Sequence, residues 1–132
     1  VLQRARQVPN VVVHGRASRD QMEGFYRQAT MLLCTSDREG FPNTFLEAWS
    51  HGVPVVSTLD PDGLIGRLGL GAVVGTPPAG IAAALSRLQG SSGAWTDASR
   101  AARAHYLAHH SVDRVMEHFE ALLIPAVESE SR

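Results

Sequence analysis

Two acidic residues eight positions apart, Glu39 and Glu47, enclose a turn-forming segment and the start of a predicted helix. The unpaired N–H groups and the partial positive charge at a helix N-terminus attract phosphate groups. Carboxylates on either side can accept hydrogen bonds from hydroxyl groups. The segment therefore predicts a site for a ligand that carries both phosphates and hydroxyls.

The backbone between the two glutamates suits such a ligand. Gly40 permits close approach of a ligand to the main chain, and Pro42 fixes the direction of the following chain but has no N–H to donate. The candidate phosphate donors are therefore the amides of Gly40, Phe41, Asn43 and Thr44. An ordinary tight turn would use Gly40 and Pro42 in the same way, so the turn and the site are compatible interpretations.

Strands and helices alternate in the sequence around this segment. Apolar runs predict strands at 11–13, 31–35 and 53–57, and residues near 72–74 predict a further strand. Helices are predicted at 19–29, after the cap Ser18, and at 44–51, before Gly52. Beyond a loop or short helical turn at 60–71, helices are predicted at 79–88, at 94–109 and after Ser111. A polar tail is predicted at 128–132.

This alternation predicts the fold class. Apolar strands without polar alternation are typical of a parallel sheet that is buried on both faces. We therefore expect an α/β domain, a doubly wound parallel sheet with helices on both faces. Such sheets bind ligands at the carboxyl ends of their strands, where the loop 36–43 is expected to lie.

Composition excludes several classes of function. The chain has 132 residues, 44% of them hydrophobic and 19% charged, which fits one globular domain. A net charge of -1 gives no general attraction to nucleic acid or to an anionic membrane. All 12 basic residues are arginines, so lysine chemistry is excluded within the chain. No apolar run approaches the roughly 20 residues of a membrane span.

The cysteine and the histidines predict no metal site. Cys34 is the single cysteine and lies in a predicted buried strand, which favours a core role and fits a reducing cytoplasm. His105 and His109 share a helix face, but no neighbouring carboxylate or cysteine completes a ligand set. We therefore expect no metal and no cofactor.

The motif around the two glutamates resembles a known family. Tyr26, Ala29 and Ser36 precede a run that reads EGFPxxxxEAxxxGxPVV from Glu39 to Val56. Together they resemble the carboxyl-terminal, donor-binding domain of retaining glycosyltransferases of the GT-B fold, family 4 or group 1. The resemblance covers roughly residues 11 to 75. It implies a Rossmann-like half of a GT-B fold that binds a nucleotide diphosphate sugar.

The resemblance also implies a role for each site residue. Glu39 would lie beside the donor sugar and act in catalysis, and Glu47 would accept hydrogen bonds from the ribose. Arg16, in a glycine-containing loop, would stack on or flank the base. Gly40, Phe41, Pro42, Asn43 and Thr44 would form the rest of the donor site.

The chain departs from the family pattern in ways that predict a fragment. It lacks the upstream strands with a basic pair for the diphosphate and the amino-terminal acceptor domain. Its donor loop reads STLDPDGLI at 57–65 instead of a Gly-Gly-acidic pattern. We therefore expect residues 1–127 to be a partial donor domain of a longer enzyme, and we expect this part to be inactive when isolated. That enzyme would be cytoplasmic, with peripheral membrane association left open.

Two alternatives remain open from the sequence. A nucleotide-sugar epimerase of the GT-B fold would keep a related cleft but has a different local motif. A flavodoxin-like binding module would be non-enzymatic. A receiver-like domain of that kind would need a lysine late in the chain and acidic residues after its first strand, and the chain has no lysine.

Overall fold

A computed structural model describes the backbone of residues 2–75, 78–90 and 92–130, and the side chains within 3–75, 78–90 and 93–123. The strands are β1 (Leu32–Cys34), β2 (Val55–Ser57) and β3 (Gly71–Val73). The helices are α1 (Leu2–Ala5), α2 (Arg19–Gln28), α3 (Asn43–Ser50), α4 (Leu64–Leu68), α5 (Pro78–Gly90), α6 (Ser92–His109) and α7 (Val112–Glu130), and a short 3₁₀ turn covers Pro61–Gly63.

The described strands form a parallel sheet in the order β1-β2-β3. Neighbouring residues of β2 point to opposite faces and join different cores. Val55 packs in a cluster with residues of α2, α3 and α4, whereas Val56 packs in a cluster with Ala84 and Leu88 of α5. Helix α6 contributes to both clusters. The predicted α/β fold, a parallel sheet flanked by helices, is confirmed.

Helix α3 is the most deeply buried helix near the predicted site. Phe45, Ala48 and Trp49 are each 0% exposed, and they lie at helical spacing on one face. Burial of the two large aromatic side chains stabilises the fold by roughly 2–3 kcal/mol each. Phe45 and Trp49 are therefore core residues.

The predicted helix boundaries agree with local chemistry. The Ser18 hydroxyl accepts from the Gln21 amide at 3.3 Å, and the Gln21 side chain accepts from the Ser18 amide at 2.9 Å, which forms a capping box at the start of α2. Gly52 follows α3 with a φ of +69°, which glycine adopts readily. For residues 60–71 the sequence predicted either a loop or a short helical turn, and the structure contains helical turns there.

The strand predicted at 11–13 is wrong. These residues are in no described ladder, and Val12 is 74% exposed. A β-branched run favours extended backbone, but a strand also needs a partner. Among the described residues β1 pairs with β2, and residues 11–13 do not pair with its other edge. At the other end, helix α7 continues to Glu130 through part of the predicted tail. Residues 131–132, the end of the predicted tail, and Pro77, which precedes the helix predicted at 79–88, lie outside the described residues.

A histidine cluster holds the junction of α6 and α7 against α3. His105 Nε2 and His110 Nε2 are 3.3 Å apart, so one ring N–H donates to the other ring. His105 also meets the Trp49 ring edge-on, with centroids 5.5 Å apart. Burial lowers the pKa of His105 and His110, and the charges of neighbouring histidines lower it further.

The register of β3 on β2 depends on Gly71. Its φ is +150°, and a Cβ there would lie 1.9 Å from the Val55 carbonyl oxygen. We expect Gly71→Ala to lower the free energy of unfolding by about 2–4 kcal/mol, because the clash is with backbone. The control is Gly24→Ala within α2, where a Cβ meets nothing within 4 Å. This variant should raise the free energy of unfolding by about 0.5–1 kcal/mol. Urea unfolding measures both, and a harmless Gly71→Ala would contradict this account of the sheet.

The histidine cluster should make stability depend on pH. Because the folded pKa values of His105 and His110 lie below the ordinary 6.5, the unfolded chain binds protons first as the pH falls. The free energy of unfolding should therefore decrease from about pH 7 towards pH 5. Urea titrations at several pH values measure this slope. The double variant His105→Gln/His110→Gln should flatten it, whereas His118→Gln, outside the cluster, should leave it; equal slopes in all three proteins would refute the prediction.

Candidate donor-binding cleft

The loop between β1 and α3 lies at the carboxyl edge of the sheet and is tied to the loop after β2. Thr58 Oγ1 donates to the Ser36 carbonyl at 2.8 Å, and Ser36 Oγ donates to Glu39 Oε1 at 2.8 Å. Glu39 is exposed. The second hydrogen bond holds the Glu39 carboxylate over the loop and leaves its other oxygen without a bond to any described residue.

Helix α3 begins without a side-chain cap. Its N-cap residue is Pro42, which is in extended conformation and makes no side-chain cap hydrogen bond. The Phe45 amide donates back to the Pro42 carbonyl at 3.0 Å. The preceding amides of Asn43 and Thr44 have no partner within the helix, as in the first turn of any helix. This end of α3 thus presents N–H groups and the positive end of the helix dipole.

Glu47 lies one turn further along α3 and is held from a second helix. The Tyr26 hydroxyl of α2 donates to Glu47 Oε2 at 2.9 Å. Burial raises the pKa of Tyr26, and the hydrogen bond and negative charge of Glu47 raise it further. The phenol therefore remains a hydrogen-bond donor throughout the neutral range.

A cleft of about 560 Å³ lies beside this pair, between α2, α3 and the end of α6. Polar groups with both donor and acceptor character surround it, together with a few apolar side chains. We call it the α2–α3 cleft. It is lined by Ala17, Arg19, Met22, Glu23, Tyr26, Leu46, Glu47, Ser50, His51, Tyr106 and His110.

The charges of the α2–α3 cleft are mixed. Arg19 lines the cleft together with Glu23 and Glu47, and Glu23 forms an ion pair with Arg27. The cleft is therefore suited to a ligand part that presents hydroxyl groups and a flat ring better than to a bare polyanion. Phosphate groups find a more favourable environment at the start of α3.

The predicted site residues divide between the cleft and its surroundings. Of the eight, Glu47 lines the cleft. Glu39 and Gly40 are exposed in the loop before α3 and are not among the residues that line the cleft, and Arg16 is an exposed neighbour of the lining residue Ala17. The Phe41 ring packs edge-on against Phe45 and Trp49, with centroids 6.4 and 6.0 Å away, so its contribution to a ligand would come from the backbone.

Several lining residues were not among the predicted site residues. Tyr26 and His51 stack with centroids 5.9 Å apart. A tyrosine on the apolar face of α2 was a usable signal, because a buried phenol needs a polar partner. Tyr106 lies near the end of α6 and His110 directly follows it, so both are far from α3 in the chain, and no local pattern marks them.

Asp60 stabilises the loop after β2 through two hydrogen bonds. Asp60 Oδ1 accepts from the Ile65 amide at 2.7 Å, and Oδ2 accepts from the Gly66 amide at 3.2 Å. Both carboxylate oxygens of Asp60 therefore hold the start of α4. In the segment that departs from the Gly-Gly-acidic pattern, Asp60 therefore has a structural role.

A larger concavity, of about 690 Å³, lies at the opposite end of α3. There the Ser50 carbonyl accepts from Arg103, and the Gly52 carbonyl accepts from Ser99 Oγ at 2.6 Å. These contacts satisfy carbonyls at the C-terminal end of α3, where the dipole disfavours anions. Tyr26 and Glu47 line the α2–α3 cleft and not this concavity, so the α2–α3 cleft is the better candidate for a ligand that carries hydroxyl groups.

The described residues show neither a metal-binding cluster nor a membrane-spanning helix. No group of three or more histidine, cysteine or acidic side chains there has the geometry to hold a metal ion. None of the described helices combines the length and the apolar character needed to cross a membrane.

Comparison with known proteins identifies the family of the chain. A family model described as glycosyl transferases group 1 matches residues 1–90, which include α2, α3 and the sheet. No curated protein and no solved structure matches the chain. Since the matched segment is more than half of the chain and contains Glu39, Glu47 and Tyr26, the chain belongs to the glycosyl transferases group 1 family.

Proposed function

We propose that this chain is the donor-binding part of a retaining glycosyltransferase of the GT-B fold. The complete enzyme transfers a sugar from a nucleotide diphosphate sugar to an acceptor hydroxyl. The observation that carries the proposal is the placement of Glu47, held by Tyr26 in the α2–α3 cleft, one turn from the uncapped start of α3. The family membership supports glycosyl transfer in general.

The donor nucleotide follows helix α3 in this proposal. Its ribose hydroxyls donate to the free oxygen of Glu47, and its diphosphate accepts from the amides of Asn43 and Thr44. One helical turn, about 5.4 Å, separates these groups along the axis. Ribose and phosphate are adjacent in a nucleotide, so the spacing suits them. The amides of Gly40 and Phe41 extend the phosphate-binding surface into the loop.

The two ends of the donor meet different parts of the protein. The base enters the cleft on the side of Ala17, where Arg16 flanks it. The transferred sugar lies over the loop, where the Glu39 carboxylate accepts from its hydroxyls and stabilises positive charge at the anomeric carbon. The diphosphate leaves towards the start of α3, and the acceptor attacks from the same face of the sugar.

An amino-terminal acceptor domain completes the proposed site. The chain has no lysine, and Arg19 is the arginine that lines the described cleft. Backbone amides and a helix dipole neutralise two phosphate charges only in part. The remaining positive charge and the acceptor-binding wall are therefore assigned to the rest of the enzyme.

Titration of the chain with nucleoside diphosphates tests the donor-binding role. We expect one of UDP, GDP, ADP or CDP to bind more tightly than its nucleoside in isothermal calorimetry. Glu47→Ala should weaken that binding about 10–100-fold, because a charged hydrogen bond is worth about 1.5–3 kcal/mol. The matched control Glu117→Ala removes an exposed carboxylate that pairs with Arg114 in α7 and should change nothing. A folded chain that binds none of the four would refute donor binding by this chain.

Kinetics of the complete enzyme tests the division of roles between the glutamates. Glu39→Gln should lower kcat about 100-fold or more while the affinity for the nucleotide diphosphate changes less than about threefold, because its charge acts at the transition state. Asp37→Asn removes another exposed carboxylate of the same loop and serves as the control. Equal, small effects of Glu39→Gln and Glu47→Ala on kcat and on affinity would contradict the assignment.

A further inference from the structure

Tyr26 and Glu47 form a contact between two helices that the proposed function does not itself require. The residues are 21 positions apart, and their side chains meet at 2.9 Å between the phenol oxygen and Oε2. Tyr26 is 5% exposed, whereas Glu47 is an exposed residue. A buried, rigid group thus holds one oxygen of a carboxylate that otherwise faces solvent.

The Tyr26 ring is fixed independently of Glu47. It belongs to the core cluster that includes Phe45 and Trp49, and Met22 packs against the same cluster one turn earlier on α2. Its ring also stacks on His51 with an interplanar angle of 23°. Core packing therefore determines where the phenol oxygen lies, and the phenol in turn determines where Oε2 lies.

One carboxylate oxygen of Glu47 accepts the hydrogen bond from Tyr26, and the other oxygen is available to a ligand. Oε1 has no hydrogen-bond partner within the described part of the chain. A glutamate on a helix surface ordinarily samples several rotamers, and ordering it on binding weakens affinity. We infer that Tyr26 is a positioning residue, which orders the Glu47 carboxylate so that Oε1 meets the ribose hydroxyls of the donor; this inference rests on the proposed function.

A binding cycle on the wild-type chain and Tyr26→Phe tests the inference. The probes are the tightest binder among UDP, GDP, ADP and CDP, and its 2′-deoxy counterpart. In the wild type the 2′-hydroxyl should contribute about tenfold to the affinity. In Tyr26→Phe the contribution should fall to about threefold or less, because the ring is kept and only the ordering of Glu47 is lost.

Two further variants separate positioning from packing. Ser99→Ala removes a hydroxyl that donates to the Gly52 carbonyl outside the α2–α3 cleft and should preserve the tenfold contribution. In the Glu47→Ala background, Tyr26→Phe should have no further effect on either ligand. If Tyr26→Phe instead weakens both ligands equally, or leaves both affinities unchanged, the positioning role is overturned while donor binding stands. If the folded wild type binds no probe, donor binding itself fails.

A ligand-free measurement checks the contact directly. The chain contains two tyrosines, so Tyr106→Phe leaves Tyr26 as the sole phenol in an ultraviolet titration. Its pKa should exceed the ordinary value of 10.0, and adding Glu47→Gln should lower it. An ordinary pKa that does not respond to Glu47→Gln would overturn the inference whether or not nucleotides bind.

Discussion

The burial of one face of helix α3 is the constraint on which the site depends. Phe45, Ala48 and Trp49 are fully enclosed by the sheet and α6. A helix with these positions inward must turn Asn43, Thr44 and Glu47 away from the core, because successive residues are rotated by about 100°. Core packing therefore directs the Glu47 side chain away from the core, and it does so before any ligand binds.

The loop that contains Glu39 is positioned by the sheet and not by the buried face of α3. Thr58 and Ser36 join the loops after β2 and β1, and both strands end at one edge because they are parallel. The close approach of Gly71 to Val55 fixes the neighbouring strand in register. Glu39 and Glu47 thus depend on different supports: Glu39 on a hydrogen-bonded loop at the sheet edge, and Glu47 on two packed helices. Such a division is consistent with separate roles in the proposed donor site.

Much of this arrangement could be predicted from the sequence, because local signals specify it. The Ser18 capping box, the apolar spacing in α3 and the glycine after it each act within a few residues. The strand at 11–13 failed because pairing depends on a neighbour that local pattern does not reveal. The cleft was missed in part for the same reason: Tyr26 is 21 residues from Glu47, and His110 reaches it through the packing of α6 on α3. Glu39 was correctly expected in a loop at the sheet edge, but its bond to Ser36 was not foreseen.

The start of α3 and the Tyr26–Glu47 pair differ in what they offer a ligand. A side-chain cap at Pro42 would stabilise α3 by about 1 kcal/mol, but it would also occupy the amides that a phosphate needs. Proline keeps those amides open while its fixed φ directs the chain into the helix. At Glu47 the amino-acid side chain is instead partnered, because the Tyr26 hydroxyl donates to one carboxylate oxygen. In our proposal this hydrogen bond orders the other oxygen. The proposed donor site therefore combines open hydrogen-bond donors at the start of α3 with a pre-ordered acceptor at Glu47, one helical turn apart.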